Sequence, residues 1–187
     1  MKRKQKIEKQ PDKLLLELFE HGVANAKPKN ILGKFFKFNK KSFSIKTEKK
    51  YINYNNVNKI YPICIGKASV DMAETSKKIL KKFKGEIVEG IIVVNKENAK
   101  RVSGFKTFIS GHPIPNNNGL RAARYIEKYL EGTTRNDLVL LFLSGGGSAL
   151  VPYPAEKISL EDKIKINKKL IQSGADIKEI NIVRKQQ

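Results

Sequence analysis

The residues of this chain best suited to chemistry lie in one short run, Leu141–Leu150, which reads L-F-L-S-G-G-G-S-A-L. Gly145, Gly146 and Gly147 follow one another without interruption, flanked by the hydroxyls of Ser144 and Ser148. Consecutive glycines cost chain entropy, so a fold keeps them where the backbone needs positive φ or must approach another group closely. After an apolar strand such a turn presents bare N–H groups that can cradle a phosphate or a carboxylate. The plainer alternative is a tight turn leading to the next element. Three sharper motifs fail on the residues present. No Gly-Lys-Ser/Thr follows the spacing of a Walker loop anywhere in the chain. Leu150 stands where a dinucleotide fingerprint needs its third glycine, and also where a nucleophile elbow centred on Ser148 needs one.

Other candidates stand at the ends of apolar runs. Lys67, between Gly66 and Ala68, follows a strand pattern and precedes a helical one. An ammonium there can neutralise a phosphate or the charge that develops during phosphoryl transfer; the alternative is one more surface lysine. His112, between Gly111 and Pro113, can donate to an anion or act as a base. Ser148 and His112 also supply two members of a hydrolase triad, without the elbow glycine or an evident third partner. Pro113 and Pro115 read as residues that stiffen the loop. His21 sits in a helical pattern and reads as structural. Two histidines and one cysteine argue against a transition-metal site built by the chain. Near the C-terminal end, Glu179 reads as a member of a surface ion pair. Arg184 can clamp a carboxylate or phosphate through two parallel bonds, and spacing alone leaves it unassigned.

The elements that must position these residues follow from hydrophobic period. Residues 1–10 are charged and read as a frayed basic terminus. Pro11 opens a helix with Leu15, Leu18, Phe19 and Val23 on one face. Phe43, Ile45 and Tyr51 suggest short edge strands. From Lys59 the pattern becomes regular. Strands are expected over 59–65, 87–94, 107–109 and 138–143, the last buried on both faces. Helices are expected from a Ser69 cap to about Lys84, after Asn116–Asn118, and after a capping box at Ser159–Asp162, where Ile164, Leu170 and Ile171 turn inward. Strands alternating with helices predict an α/β fold: a Rossmann-like, doubly wound, largely parallel sheet with helices on both faces. Ligands of such sheets bind outside the carboxyl ends of the strands. That rule collects Gly66–Ser69, Gly111–Asn118 and Ser144–Ser148 along one rim.

Composition limits the partners. Thirty-eight Lys and Arg against eighteen Asp and Glu give a formal charge of +20. The charge permits non-specific attraction to nucleic acid, but the lysines are spread through the whole chain, so small anions are expected and no specific nucleic acid. Cys64, the only cysteine, rules out a disulfide within the chain and lies in an apolar strand pattern. No run has the length of a membrane span and the basic N-terminus lacks the apolar stretch of a secretory signal, so the expected location is cytoplasmic.

Taken in order, G-K-A-S with Met72-Ala73, S-G-H-P-I-P-N-N-N-G-L-R-A-A, L-S-G-G-G-S-A-L, I-S-L-E-D-K and S-G-A-D-I-K-E-I-N-I-V-R-K resemble the glycerate 2-kinase family, whose full members carry a C-terminal MOFRL domain. The resemblance implies phosphorylation of D-glycerate at its 2-hydroxyl, with ATP and Mg²⁺. It makes Lys67 the functional lysine, Ser144–Ser148 the phosphate-contacting loop and Arg184 an arginine near the cleft. Asn116 departs from it, standing where the family has an acid. The family pattern also continues beyond V-R-K, so residues 11–187 are expected to be an incomplete N-terminal kinase domain without the MOFRL domain. A homodimer or a complementing C-terminal chain would then complete the site. The alternative is a non-catalytic anion-binding fragment.

Overall fold

The computed structural model describes residues 11–39 and 42–185. The terminus expected to fray, residues 1–10, lies outside the described residues. Helix α1 (Pro11–Ala26) and the short α2 (Pro28–Ile31) lead into a small antiparallel sheet of β1 (Phe36–Asn39), β2 (Ser42–Lys46) and β3 (Tyr51–Tyr54). Phe43 of β2 is fully buried and packs against the rings of Phe36, Phe38 and Tyr54. Phe36 also meets Phe142 edge-on, which joins this sheet to the main core.

The main sheet holds β4 (Lys59–Ile65), β5 (Glu86–Ile87), β6 (Gly90–Asn95), β7 (Phe105–Ser110) and β8 (Leu138–Leu143). Every pairing in it is parallel. Ile60 pairs with Leu138 and with Ile87, and Ile63 with Leu141 and with Ile91. Strand β8 therefore takes one edge of β4, while β5 and then β6 share the other. The chain steps outward from β4 through β6 to β7, then returns to the opposite side of β4 as β8. That reversal is the topological switch point at which open α/β sheets bind ligands.

The two-residue period of the strands divides the core between two faces. Ile60, Cys64, Ile92, Val94, Leu140 and Phe142 meet Val70, Ala73 and Leu80 of α3 (Ser69–Leu80). Ile63, Ile65, Ile91 and Val93 meet Ala122, Tyr125, Ile126 and Tyr129 of α4 (Asn117–Glu131). The expected doubly wound α/β architecture is present. Burial pushes the Cys64 thiol up to about 12, as an inert core residue requires. Three helices complete the chain: α5 (Gly147–Leu150), α6 (Leu160–Gln172) and α7 (Ile177–Arg184).

Several expectations are corrected. Strand β8 is not buried on both faces: Val139, Leu141 and Leu143 are 40%, 58% and 61% exposed. Helix α4 lies over β6 and β7, and among the described residues nothing reaches across to cover β8. Leu15, Leu18, Phe19 and Val23 of α1 are likewise exposed. So is Ile171 of α6. Ser69 does not cap α3: Ala68 holds that position, and the Ser69 hydroxyl is buried without a partner. The helix ends at Leu80 rather than Lys84, and the second strand is interrupted at Val88–Glu89.

Candidate anion-binding site

At the switch point the turns after β4 and β8 are tied to each other. The Ser144 N–H donates to the Ile65 carbonyl at 2.9 Å, extending the ladder past the strands. The Lys67 N–H donates to the Gly145 carbonyl at 2.9 Å, and the Ala68 N–H to the Ser144 hydroxyl at 3.1 Å. Gly66 has φ +121°, and a Cβ there would lie 2.1 Å from Ser144 Oγ, so only glycine fits between these turns. Gly146 has φ +97°, and its missing Cβ leaves room for the ring of His112, whose Cδ2 lies 2.9 Å from where that Cβ would be. All three loops therefore meet along one rim. Gly145 differs from its neighbours, because a Cβ there would meet nothing within 4 Å. The N–H groups of Gly145, Gly146, Gly147 and Ser148 have no acceptor among the described residues.

From this turn an open cleft of about 830 Å³ runs to α6 and α7. Gly146, Gly147, Ser148 and His112 line one wall; Lys163, Asn167, Lys168, Arg184 and Lys185 line the other. Local capping fixes the second wall. Ser159 accepts from the Asp162 N–H at 3.0 Å and starts α6. Asp176 accepts from the N–H groups of Lys178 and Glu179, while Glu179 accepts from the Asp176 N–H at 2.9 Å, closing a capping box on α7. Glu179 is thus a cap rather than the surface ion-pair partner expected of it; no lysine lies three or four residues away. Arg184 Nε donates to Asn167 Oδ1 at 2.8 Å and joins the two helices. Lys163 is 9% exposed, and its ammonium has neither a hydrogen bond nor an ion pair among the described residues. Burial, and then the Arg184 charge, hold its pKa below the usual lysine range. Among the described residues no carboxylate lines the cleft. The side-chain charge on this wall favours anions. No group of three metal-ligating side chains occurs among the described residues.

Residues 14–187 match the family described as Domain of unknown function (DUF4147). The chain belongs to the DUF4147 family. It is 35% identical over 131 residues to a D-glycerate 2-kinase of Thermotoga maritima, covering 70% of this chain and 31% of the relative. It is 39% identical over 127 residues to a glycerate 2-kinase of Pyrococcus horikoshii, covering 68% of this chain and 28% of the relative. A solved Pyrococcus horikoshii structure superposes with a TM-score of 0.78 at 31% identity, covering 92% of this chain and 37% of that one. The resemblance to glycerate 2-kinases read from the sequence is borne out. The chain spans about three-tenths of the length of the curated relatives it matches.

Within this DUF4147 chain the residues singled out by sequence fall into two groups. Gly146, Gly147, Ser148, His112 and Arg184 line the cleft. Lys67, Ser144 and Gly145 do not: they build the junction behind its rim, and the Lys67 side chain is exposed there. The loop carrying His112 contains a cis His112–Pro113 peptide, the minor alternative to simple stiffening at Pro113. Ser148 and His112 share no hydrogen bond, and no carboxylate is hydrogen-bonded to the imidazole among the described residues. Sequence reasoning passed over Lys163 and Asn167. Their four-residue spacing on α6 puts both on one face and was the available signal. A lysine after two acids in the first turn reads as a solvated residue until the docking of α7 is known.

Proposed function

We propose that this chain forms the phosphate-handling part of a glycerate 2-kinase, which transfers the terminal phosphoryl group of ATP to the 2-hydroxyl of D-glycerate and gives 2-phosphoglycerate. The observation that carries this reading is the switch point: a glycine turn whose Gly146, Gly147 and Ser148 N–H groups, without an acceptor among the described residues, line a cleft whose described ionisable side chains are His112, Tyr153, Lys163, Lys168, Arg184 and Lys185. Phosphoryl transfer needs little covalent help from a protein and depends on positioning and charge stabilisation. In this reading the N–H groups of Gly145 to Ser148 hold phosphate oxygens, and His112 donates to the same anion. Lys67 supplies positive charge from the rim, and Arg184 holds substrate on the opposite wall. Mg²⁺ would come in with the nucleotide and would neutralise phosphate charge beside the loop residues that hold it. The setting is the cytoplasm; no helix among the described residues is long and apolar enough to cross a membrane.

A specific feature supports a second reading, an anion-binding subunit completed by a homodimeric partner or by a separate C-terminal chain. Strand β8 leaves one apolar face and its outer edge uncovered among the described residues. Release of ADP in the presence of D-glycerate, measured with the chain alone, tests the first reading. In a complete protein Lys67→Ala is expected to lower kcat by about 10²- to 10³-fold with little change in Tm; an unchanged kcat removes Lys67 from the mechanism. Calorimetric binding of ATP and D-glycerate without turnover favours the second reading.

A further inference from the structure

Lys163 is anomalous among the 38 basic residues of the chain. Lysine is almost never buried unless it is paired, yet this one is 9% exposed and has no partner among the described residues. It lies in the first turn of α6, where the helix dipole repels a cation, and it borders Arg184, which repels it again. Burial, dipole and neighbour all oppose the charge, and no group among the described residues compensates for it. The missing compensation points to an anion that enters from the cleft.

The geometry of Arg184 indicates what kind. Its Nε is taken by Asn167, so the guanidinium plane is fixed, while both terminal nitrogens have no partner among the described residues. A fixed planar fork matches a planar carboxylate through two parallel bonds, and a neighbouring ammonium adds a point charge. The opposite wall offers a different chemistry: a run of backbone N–H groups, suited to the tetrahedral oxygens of a phosphate. We propose that Lys163 and Arg184 form the carboxylate subsite of the cleft and that Asn167 is the positioning residue that orients Arg184. The proposal rests on the glycerate kinase reading for the identity of the acid, and on the unpaired cations for the existence of the subsite.

The test titrates D-glycerate, L-lactate and inorganic tripolyphosphate into the whole chain by calorimetry, alongside thermal unfolding without ligand. Lys163→Met keeps the bulk and removes the charge. It is expected to raise Tm without ligand, because an unpaired buried charge is removed. It should weaken D-glycerate binding by roughly tenfold or more, while tripolyphosphate affinity stays within about threefold. Lys163→Arg restores carboxylate binding, and Asn167→Ala weakens it less than Lys163→Met. The proposal is overturned if D-glycerate affinity is unchanged in Lys163→Met. Equal losses for both anions with a lowered Tm overturn it too, since that pattern belongs to a structural lysine. So does a parent chain that binds none of the three anions. If L-lactate and D-glycerate bind equally, both dependent on Lys163, the carboxylate subsite stands and D-glycerate as its acid falls.

Discussion

The two walls of the cleft face the same space and are held in different ways. On the turn wall the backbone itself is the device: Gly66 and Gly146 adopt φ values open to glycine, and carbonyl, hydroxyl and amide groups of Ile65, Lys67, Ala68, Ser144 and Gly145 bond across the switch point. On the helix wall the device is side chains. Lys163, Asn167 and Arg184 hang from α6 and α7, which are set by end caps and joined by the Arg184–Asn167 bond. A backbone turn in contact with a parallel sheet cannot shift without breaking the ladder beside it. Two capped helices, with Ile171, Ile177 and Ile182 exposed on them, can shift as a pair. The rigid wall is shaped before a guest arrives, and the adjustable wall supplies the compensating charge.

This contrast breaks most visibly at Gly66. Gly66→Ala must place a methyl group on Ser144 Oγ at a φ unfavourable to any side chain, and a loss of about 3–5 kcal/mol is expected in urea unfolding. A loss below about 1 kcal/mol would show that the turn wall yields as easily as the helices do. Asp176→Ala removes the cap of α7 and is expected to cost about 1 kcal/mol. Hydrogen exchange should quicken in α7 and leave β4 and β8 unchanged; acceleration in β8 would mean that the walls are coupled.

A pH series sharpens the comparison further. Lys163 has a folded pKa below its unfolded one, so between the two values the unfolded chain binds more protons and stability rises with pH. The stabilisation gained by Lys163→Met should therefore be largest at neutral pH and shrink as pH approaches the usual lysine value. Cys64 acts in the opposite sense, because its folded pKa of about 12 lies above the ordinary value of 9.0, and its contribution is lost as pH rises through that interval. Comparing parent and Lys163→Met at each pH cancels the thiol. The smallest effect is expected at Gly145→Ala, within about 0.5 kcal/mol, since nothing lies within 4 Å of the new methyl group.

The turn wall was legible in the sequence because its determinants are local. Glycines at strand ends, the continuous apolar runs of β4 and β6, and the alternation of strands with helices each act within a few residues, and the rule for open sheets gathers the rest. The helix wall was not legible. Whether Lys163 faces water or a cleft depends on where α7 docks, and one bond between Arg184 and Asn167, distant in sequence, records that docking. Strand β8 shows the same limit in another form. Six apolar residues in a row mark a strand that belongs inside something, but Leu138–Leu143 cannot say which neighbour covers its second face. Ser69 was misplaced by one position because Ala68, with no cap of its own, already begins the turn.

The bare margin of β8 has a consequence for how the chain behaves in a tube. Amides beside Val139, Leu141 and Leu143, on an edge that no described strand pairs with, form a template on which another molecule can add a strand. A formal charge of +20 holds such molecules apart while their fields reach through dilute buffer. Added electrolyte shortens that reach to about 3 Å at 1 M, so the chain should stay clear in weak buffer and cloud as salt is raised.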